Sequence, residues 1–145
     1  MRISAKGEYA IRAVLDLAMH TGRGLIPIQD IAERQRIPQR YLEQVLLGLK
    51  RAGLLTSKRG SAGGYHLTKA PEEVTVGAVL RAVEGTDAPF DVRPAERGGT
   101  GGFDLGPLWE EIAVAVSGVV DRLTFKDLAT RVYDRLGSAR PMYHI

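Results

Sequence analysis

Residues 53–68 constrain this chain more than any other stretch. Gly53 is followed by two short β-prone runs, Leu54-Leu55-Thr56-Ser57-Lys58 and Gly64-Tyr65-His66-Leu67-Thr68. Between them stands Arg59-Gly60-Ser61-Ala62-Gly63. Strand-compatible runs flanking a glycine-rich tip close into a hairpin. A lone two-stranded hairpin is marginal in water and must rest on other elements. Lys58 and Arg59 make this tip basic.

The preceding residues supply helices for it to rest on. Tyr9 to His20 carries Ala10, Ile11, Ala13, Val14, Leu15, Leu17 and Ala18, a stripe broad enough for a mostly buried helix. Thr21-Gly22-Arg23-Gly24 ends it, and Leu25 to Ile28 is extended, with Pro27 limiting it to an edge or strand end. Gln29 to Gln35 forms a short helix with Ile31 and Ala32 inward, broken by Ile37-Pro38. Gln39 to Ala52 forms a second, with Leu42, Val45, Leu46 and Leu49 inward and Arg40, Glu43, Gln44, Lys50 and Arg51 opposite. Gly53 caps it. Two short helices across a tight turn make a helix-turn-helix, and small Ala32 permits a close crossing. The turn reads Gln35-Arg36 where glycine is common, so Arg36 takes a left-handed conformation at some cost. A helix-turn-helix followed by a basic hairpin is a winged helix.

Glu72 to Glu84 reads as a further helix, with Thr75 as a candidate N-cap and Gly85 closing it. From Gly85 to Gly106 the chain holds six glycines plus Pro89 and Pro94, the composition of a flexible loop. Lacking Lys-Ser/Thr before a helix, it is no phosphate-cradling loop. Pro107 to Leu123 is then a strong helix. Leu105, Leu108, Ile112, Ala115 and Val119 form one apolar stripe, and Trp109, Ala113, Val116, Val120 and Leu123 a neighbouring one. A helix apolar on two sides needs a second subunit as well as its own domain. Thr124 opens a short last helix to Asp134 with a Thr-x-x-Asp capping box, and a loose tail follows. The fold class is mainly α with a small β-hairpin wing: a winged helix-turn-helix over 1–84, a loop over 85–106, a dimerisation helix and short helix over 107–134, and a tail over 135–145.

The charge is uneven. Residues 1–70 hold 12 Lys/Arg against 5 Asp/Glu, and residues 71–145 hold 8 against 12. A basic first half suits a polyanion. The chain has no cysteine, which excludes disulfides and thiolate metal sites. His20, His66 and His144 have no ligand spacing, so neither a metal nor another cofactor is expected. No Ser/His/Asp set, paired-carboxylate motif or nucleotide fingerprint points to an enzyme. With no secretory signal and no apolar run of membrane-spanning length, a cytoplasmic protein without membrane contact is expected.

The chain resembles the Rrf2 family of bacterial transcription regulators. The likeness rests on residues 4–10, on Ile31-Ala32-Glu33-Arg34-Gln35, on residues 37–46 and on the wing, Ser57 to Leu67 with its Gly63-Gly64-Tyr65. Leu108-Trp109 and Leu123 to Leu128 resemble the ends of the family's dimer helix. Family members with an iron–sulfur cluster carry three cysteines in the loop before that helix. Here Phe103 stands where the last would fall, and Gly106 where one branch has histidine. Asp87, Asp91, Glu96 and Asp104 are oxygen donors, which do not hold such a cluster by themselves. The resemblance is therefore to the cluster-free branch, which includes a repressor of cysteine metabolism.

These features imply a homodimeric, sequence-specific regulator, of repressor type, on a pseudo-palindromic duplex. The helix from Gln39 enters the major groove, where Gln39, Arg40 and Gln44 are the base-reading candidates. Glu43 either accepts from a cytosine amine, repels wrong sequences, or pairs with Lys50 or Arg40. Tyr41 contacts phosphate through its hydroxyl or packs against Leu54 or Tyr9. Ser4 and Lys6 touch phosphates by resemblance. Arg59 follows the minor groove while Gly60, Gly63 and Gly64 allow close backbone approach, and Lys58 pairs with phosphate. The dimer interface is Leu108, Trp109, Ile112, Ala115, Val116, Val119, Val120 and Leu123. Rival readings are a metal- or effector-sensing regulator of the same fold, with loop 85–106 as the place for an effector or partner protein, and a protein-interaction winged helix without DNA.

Overall fold

The computed structural model describes residues 3–85, 92 and 102–139. Six α-helices and a two-stranded hairpin follow in order among them: α1 (Ala5–Met19), α2 (Ile28–Gln35), α3 (Gln39–Arg51), β1 (Leu55–Lys58), β2 (Gly64–Leu67), a 3-10 turn (Pro71–Glu73), α4 (Val76–Glu84), α5 (Gly106–Arg122) and α6 (Phe125–Ala139). None of the described helices is long and apolar enough to cross a membrane.

The core lies where α1, α3 and α4 meet. Val14, Ile31, Leu42, Leu46, Leu49, Val74 and Val79 are fully buried there. The spacing of Leu42, Val45, Leu46 and Leu49 puts all four on the inner face of α3, as the periodicity predicts. β1 and β2 pair antiparallel with Leu55 opposite Leu67 and Lys58 opposite Gly64. Ile26 extends this sheet by one residue: its N–H donates to the Tyr65 carbonyl at 2.9 Å and its carbonyl accepts from the Tyr65 N–H at 2.8 Å. Pro27, next along, has no N–H and stops the pairing there.

Three boundaries differ from the sequence reading by more than one residue. α1 starts at Ala5 rather than Tyr9, because Ser4 caps it: the Ser4 hydroxyl accepts from the Gly7 N–H at 3.1 Å. Gly7 interrupts the apolar pattern but is itself buried. α4 starts at Val76 rather than Glu72. Val74 and Thr75 are held extended by Leu123 and Phe125, with Val76 N–H on the Leu123 carbonyl at 2.9 Å and Phe125 N–H on the Val74 carbonyl at 3.0 Å. Thr75 then caps α4 through the Ala78 N–H. α6 continues past Asp134 to Ala139. Gly137 costs a helix only about 1 kcal/mol, and the next proline is Pro141.

The 74–76 and 123–125 pairing ties the α5–α6 junction to the winged helix. Phe125 is the largest fully buried side chain, so α6 is anchored in the core at its first residue. Arg81 and Asp121 brace the same junction with Nη1–Oδ1 at 2.5 Å and Nη2–Oδ2 at 2.9 Å. That bidentate bond is the first cause of a carboxyl held below the usual range at Asp121 and a guanidinium held higher at Arg81. No residue of α5 is buried, and Val114 is 62% exposed. Most of the 85–106 loop, with Asp87, Asp91 and Glu96, and the tail beyond 139 lie outside the described residues.

Candidate nucleic-acid interface

The turn between α2 and α3 rests on one left-handed residue. Arg36 has φ 54° and ψ 46°, the conformation its place in the sequence demands. Such a residue costs about 1–2 kcal/mol without glycine. The Ile37 N–H on the Ala32 carbonyl at 3.0 Å and burial of the Ile37 side chain offset that cost.

A buried carboxylate fixes α2 against α1. Asp16, 2% exposed, faces Arg34 and Gln35 at the end of α2. It accepts from Arg34 Nε at 2.9 Å, Arg34 Nη2 at 2.8 Å and Gln35 Nε2 at 3.0 Å. The Asp16 hydrogen bonds are the main cause of an Arg34 guanidinium held above its ordinary value. The sequence reading gave neither Asp16 nor Arg34 a role of its own. The available signal was an aspartate inside the apolar stripe Val14-Leu15-Asp16-Leu17-Ala18.

α3 presents Gln39, Arg40, Tyr41, Glu43 and Gln44 to solvent. Pro38 precedes the helix and no side chain caps it, and the Pro38 carbonyl accepts from the Tyr41 and Leu42 N–H groups, both at 3.0 Å. Tyr41 is 58% exposed, so it is not a core residue, although it lines one cleft with Tyr9. Among the described residues Glu43 has no ion pair within 4 Å, so the salt-partner alternative with Arg40 or Lys50 is not realised. Tyr41 and Gln44 share a cleft of about 440 Å³ with Ala5, Lys6 and Tyr9. The first turn of α1 and the outer face of α3 are therefore one continuous surface, on which Lys6, Tyr41 and Gln44 come together. Ser4 lies at its edge, engaged within the protein: besides capping Gly7, its hydroxyl donates to the Glu84 carboxylate at the end of α4.

The wing divides its glycines between two tasks. Lys58, Arg59, Gly60, Ser61 and Ala62 are exposed at the tip, with Gly60 at φ 111°. Gly64 is buried, and a Cβ there would stand 2.5 Å from the Ile26 carbonyl. A Cβ at Gly63 would stand 2.1 Å from the Lys58 carbonyl. These two glycines therefore let the hairpin close and dock on Ile26.

On α5, Leu108, Ile112, Ala115 and Val119 are exposed, and Trp109, Val116, Val120 and Leu123 are half-buried. The two stripes read from the sequence thus differ: one leans on the protomer and the other faces away from it. Asp104 accepts from the Gly106 N–H at 2.9 Å at the start of the helix, and Phe103 is almost fully exposed.

The profile of the Rrf2 family, described as an iron-dependent transcriptional regulator, matches residues 3–131. The HTH-type transcriptional regulator IscR of Serratia proteamaculans (strain 568) is 41% identical over 132 residues, covering 88% of this chain and 79% of that protein. Among solved structures, CymR, the global cysteine regulator of B. subtilis, superposes with a TM-score of 0.77 at 34% identity, covering 90% of this chain and 98% of that one. T. potens IscR superposes with a TM-score of 0.73 at 32% identity, covering 91% and 88%. The family's iron does not find a thiolate site here, because the chain has no cysteine. Among the described residues, no three His, Asp or Glu side chains stand together in a metal-holding group.

Proposed function

The chain belongs to the Rrf2 family of DNA-binding transcription regulators, and from that premise we propose that it acts as a homodimeric repressor, reading a pseudo-palindromic duplex through α3 and the wing. The surface shared by Lys6, Tyr41 and Gln44 carries this reading. A phosphate set against the first turn of α1 meets Lys6 and the Tyr41 hydroxyl, while Gln39, Arg40 and Gln44 reach base edges. Arg suits the paired acceptors of guanine and Gln the donor–acceptor pair of adenine. Glu43, unpaired with any cation, selects for a cytosine amine or against other bases. At the wing Arg59 enters the minor groove and Lys58 holds a phosphate, with Gly60 allowing the approach. Ser4 contributes by fixing the start of α1.

The second protomer joins along α5, whose apolar residues Leu108, Ile112, Ala115 and Val119 lack cover in one chain, with Trp109, Val116, Val120 and Leu123 at the margin. Dimerisation sets the two α3 helices one helical turn or more apart on the DNA. The protein works without an iron–sulfur cluster, in the cytoplasm with the DNA it binds.

The test is Arg40→Ala with Arg59→Ala, assayed on duplex fragments selected from the source genome. Specific binding is lost while the far-UV CD spectrum and the dimer persist. Replacing Lys58 alone lowers the salt slope of binding by about 1 per phosphate contact removed. Unchanged affinity in the double variant refutes the assignment of both elements.

A further inference from the structure

A second concave site lies on a different part of the protein, between the end of α1 and the base of the wing. It is a cleft of about 370 Å³, open to solvent on one side. Leu17, Ile26 and Leu67 give it apolar walls, while His20, His66 and Lys69 supply its polar groups. Among the described residues no carboxylate lines it. Asp16, held by Arg34 and Gln35, has its Oδ1 3.6 Å from His20 Nδ1. The volume is near the lower end for small-molecule sites, which pair an apolar lining with a few polar groups.

The two imidazoles are set alike. His20 Nδ1 lies 2.6 Å from the Asp16 carbonyl, and His66 Nδ1 lies 3.0 Å from the Leu67 carbonyl. A carbonyl oxygen only accepts, so Nδ1 carries the hydrogen on both rings. In its neutral form each ring keeps a lone pair on Nε2, the one ring nitrogen not engaged by backbone. Thr21 is also committed, with its hydroxyl donating to the Ala18 carbonyl at 2.8 Å. The site therefore offers one ammonium, two imidazole acceptors and an apolar body. That set complements a carboxylate that carries a hydroxyl or amino donor next to a branched aliphatic tail.

We propose that this cavity is an effector site for a small aliphatic hydroxy or amino acid, and that its occupancy holds the wing against α1. Lys69 takes the carboxylate, His20 and His66 accept from the donor, and Leu17, Ile26 and Leu67 cover the tail. The walls explain the consequence for the wing. Ile26 is hydrogen-bonded in both directions to Tyr65 on β2, and His66 and Leu67 are the next residues of that strand. A ligand wedged between β2 and α1 fixes the angle at which the Arg59 tip leaves the body. This last step rests on the DNA-binding reading, whereas binding of the acid does not.

The full chain, labelled with ¹⁵N, is titrated with 2-hydroxy-4-methylpentanoate. Saturable amide shifts are expected at residues 20–26 and 65–69, with a Kd on the order of 1 mM for a ligand of this size. Lys69→Gln weakens binding about tenfold, as does replacing the acid by its neutral amide, in line with loss of a charge-assisted contact. 4-Methylpentanoate, which lacks the donor, binds more weakly than the hydroxy acid. No saturable shift, or equal binding of acid and amide, overturns the site. Duplex affinity is then measured with and without the saturating acid. A change of about threefold or more supports control of the wing; an unchanged Kd, for a protein that binds duplex in both cases, overturns that control. Failure to bind duplex both with and without the acid refutes the DNA reading instead.

Discussion

Arg34→Met is the substitution whose cost the geometry specifies best. Asp16 is nearly inaccessible to water and accepts three hydrogen bonds, two of them from Arg34. Methionine keeps most of the volume and the aliphatic stem but leaves the carboxylate with Gln35 and, at 3.6 Å, the His20 ring. Stripping one partner from a buried ion pair costs about 3–5 kcal/mol. The Arg34 side chain is 37% exposed, so water re-enters where the guanidinium stood and lowers the cost to about 2–3 kcal/mol. The reverse substitution is cheaper. Asp16→Asn is nearly isosteric, and it frees Arg34 to turn into solvent, so the loss is that of charge-assisted bonds, about 1–2 kcal/mol. The double variant costs less than the sum of the two, because neither leaves a charge stranded. Urea unfolding followed by far-UV CD measures all four species, at matched protein concentration because dimerisation adds to stability. An Arg34→Met protein within about 0.5 kcal/mol of the parent, the range of ordinary surface changes, would refute the claim that this pair holds α1 to α2.

Three further outcomes follow from the same coordinates. Gly64→Ala drives a Cβ to 2.5 Å from the Ile26 carbonyl, so the wing detaches from Ile26; duplex affinity falls while helix content by CD is kept. The Asp127 carboxylate accepts from the Thr124 backbone N–H at 3.0 Å, chiefly by which it is held below the usual carboxylate range. Its contribution to stability is therefore present above about pH 4, the ordinary value, and lost as pH falls through the depressed one. Asp127→Asn is then less stable than the parent at neutral pH, and thermal melts of the two converge in acid. Val119→Asp, on the exposed stripe of α5, converts the dimer to a monomer in sedimentation, with CD unchanged, because α5 gives no buried residue to its own core; a variant that stays dimeric places the interface elsewhere.

The elements that periodicity revealed are those buried on one face. α3 and the paired wing strands stand within a residue of their expected ends because Leu42 to Leu49 and the Gly53 and Gly60 turns each fix a local conformation. Even the left-handed Arg36 could be placed from its position between two helices. What stayed hidden depends on contacts between distant parts of the chain. The α4 start is set by Leu123 and Phe125, and nothing near Glu72 announces them. Gly7 reads as a break in α1, yet it is the gap that admits Glu84 and Leu80, whose atoms would lie 2.8 Å and 3.3 Å from a Cβ.

The residues of the proposed interface divide along the same line. Arg40, Gln44 and Arg59 are recognisable because their side chains are wanted outside and the helix or hairpin puts them there. Gly63 and Gly64 sit in the same motif but do a different job, since only the distance to Ile26 and Lys58 tells a closing glycine from one that lets DNA approach. His20 and His66 make the strongest case. Forty-six positions apart in the chain, they match no ligand spacing, and a reading by motif discards them. The Ile26–Tyr65 bridge brings the end of α1 against β2, and the two rings then line one cavity with their Nδ1 atoms already committed. The base of the wing is where these two rings meet the element proposed to reach DNA.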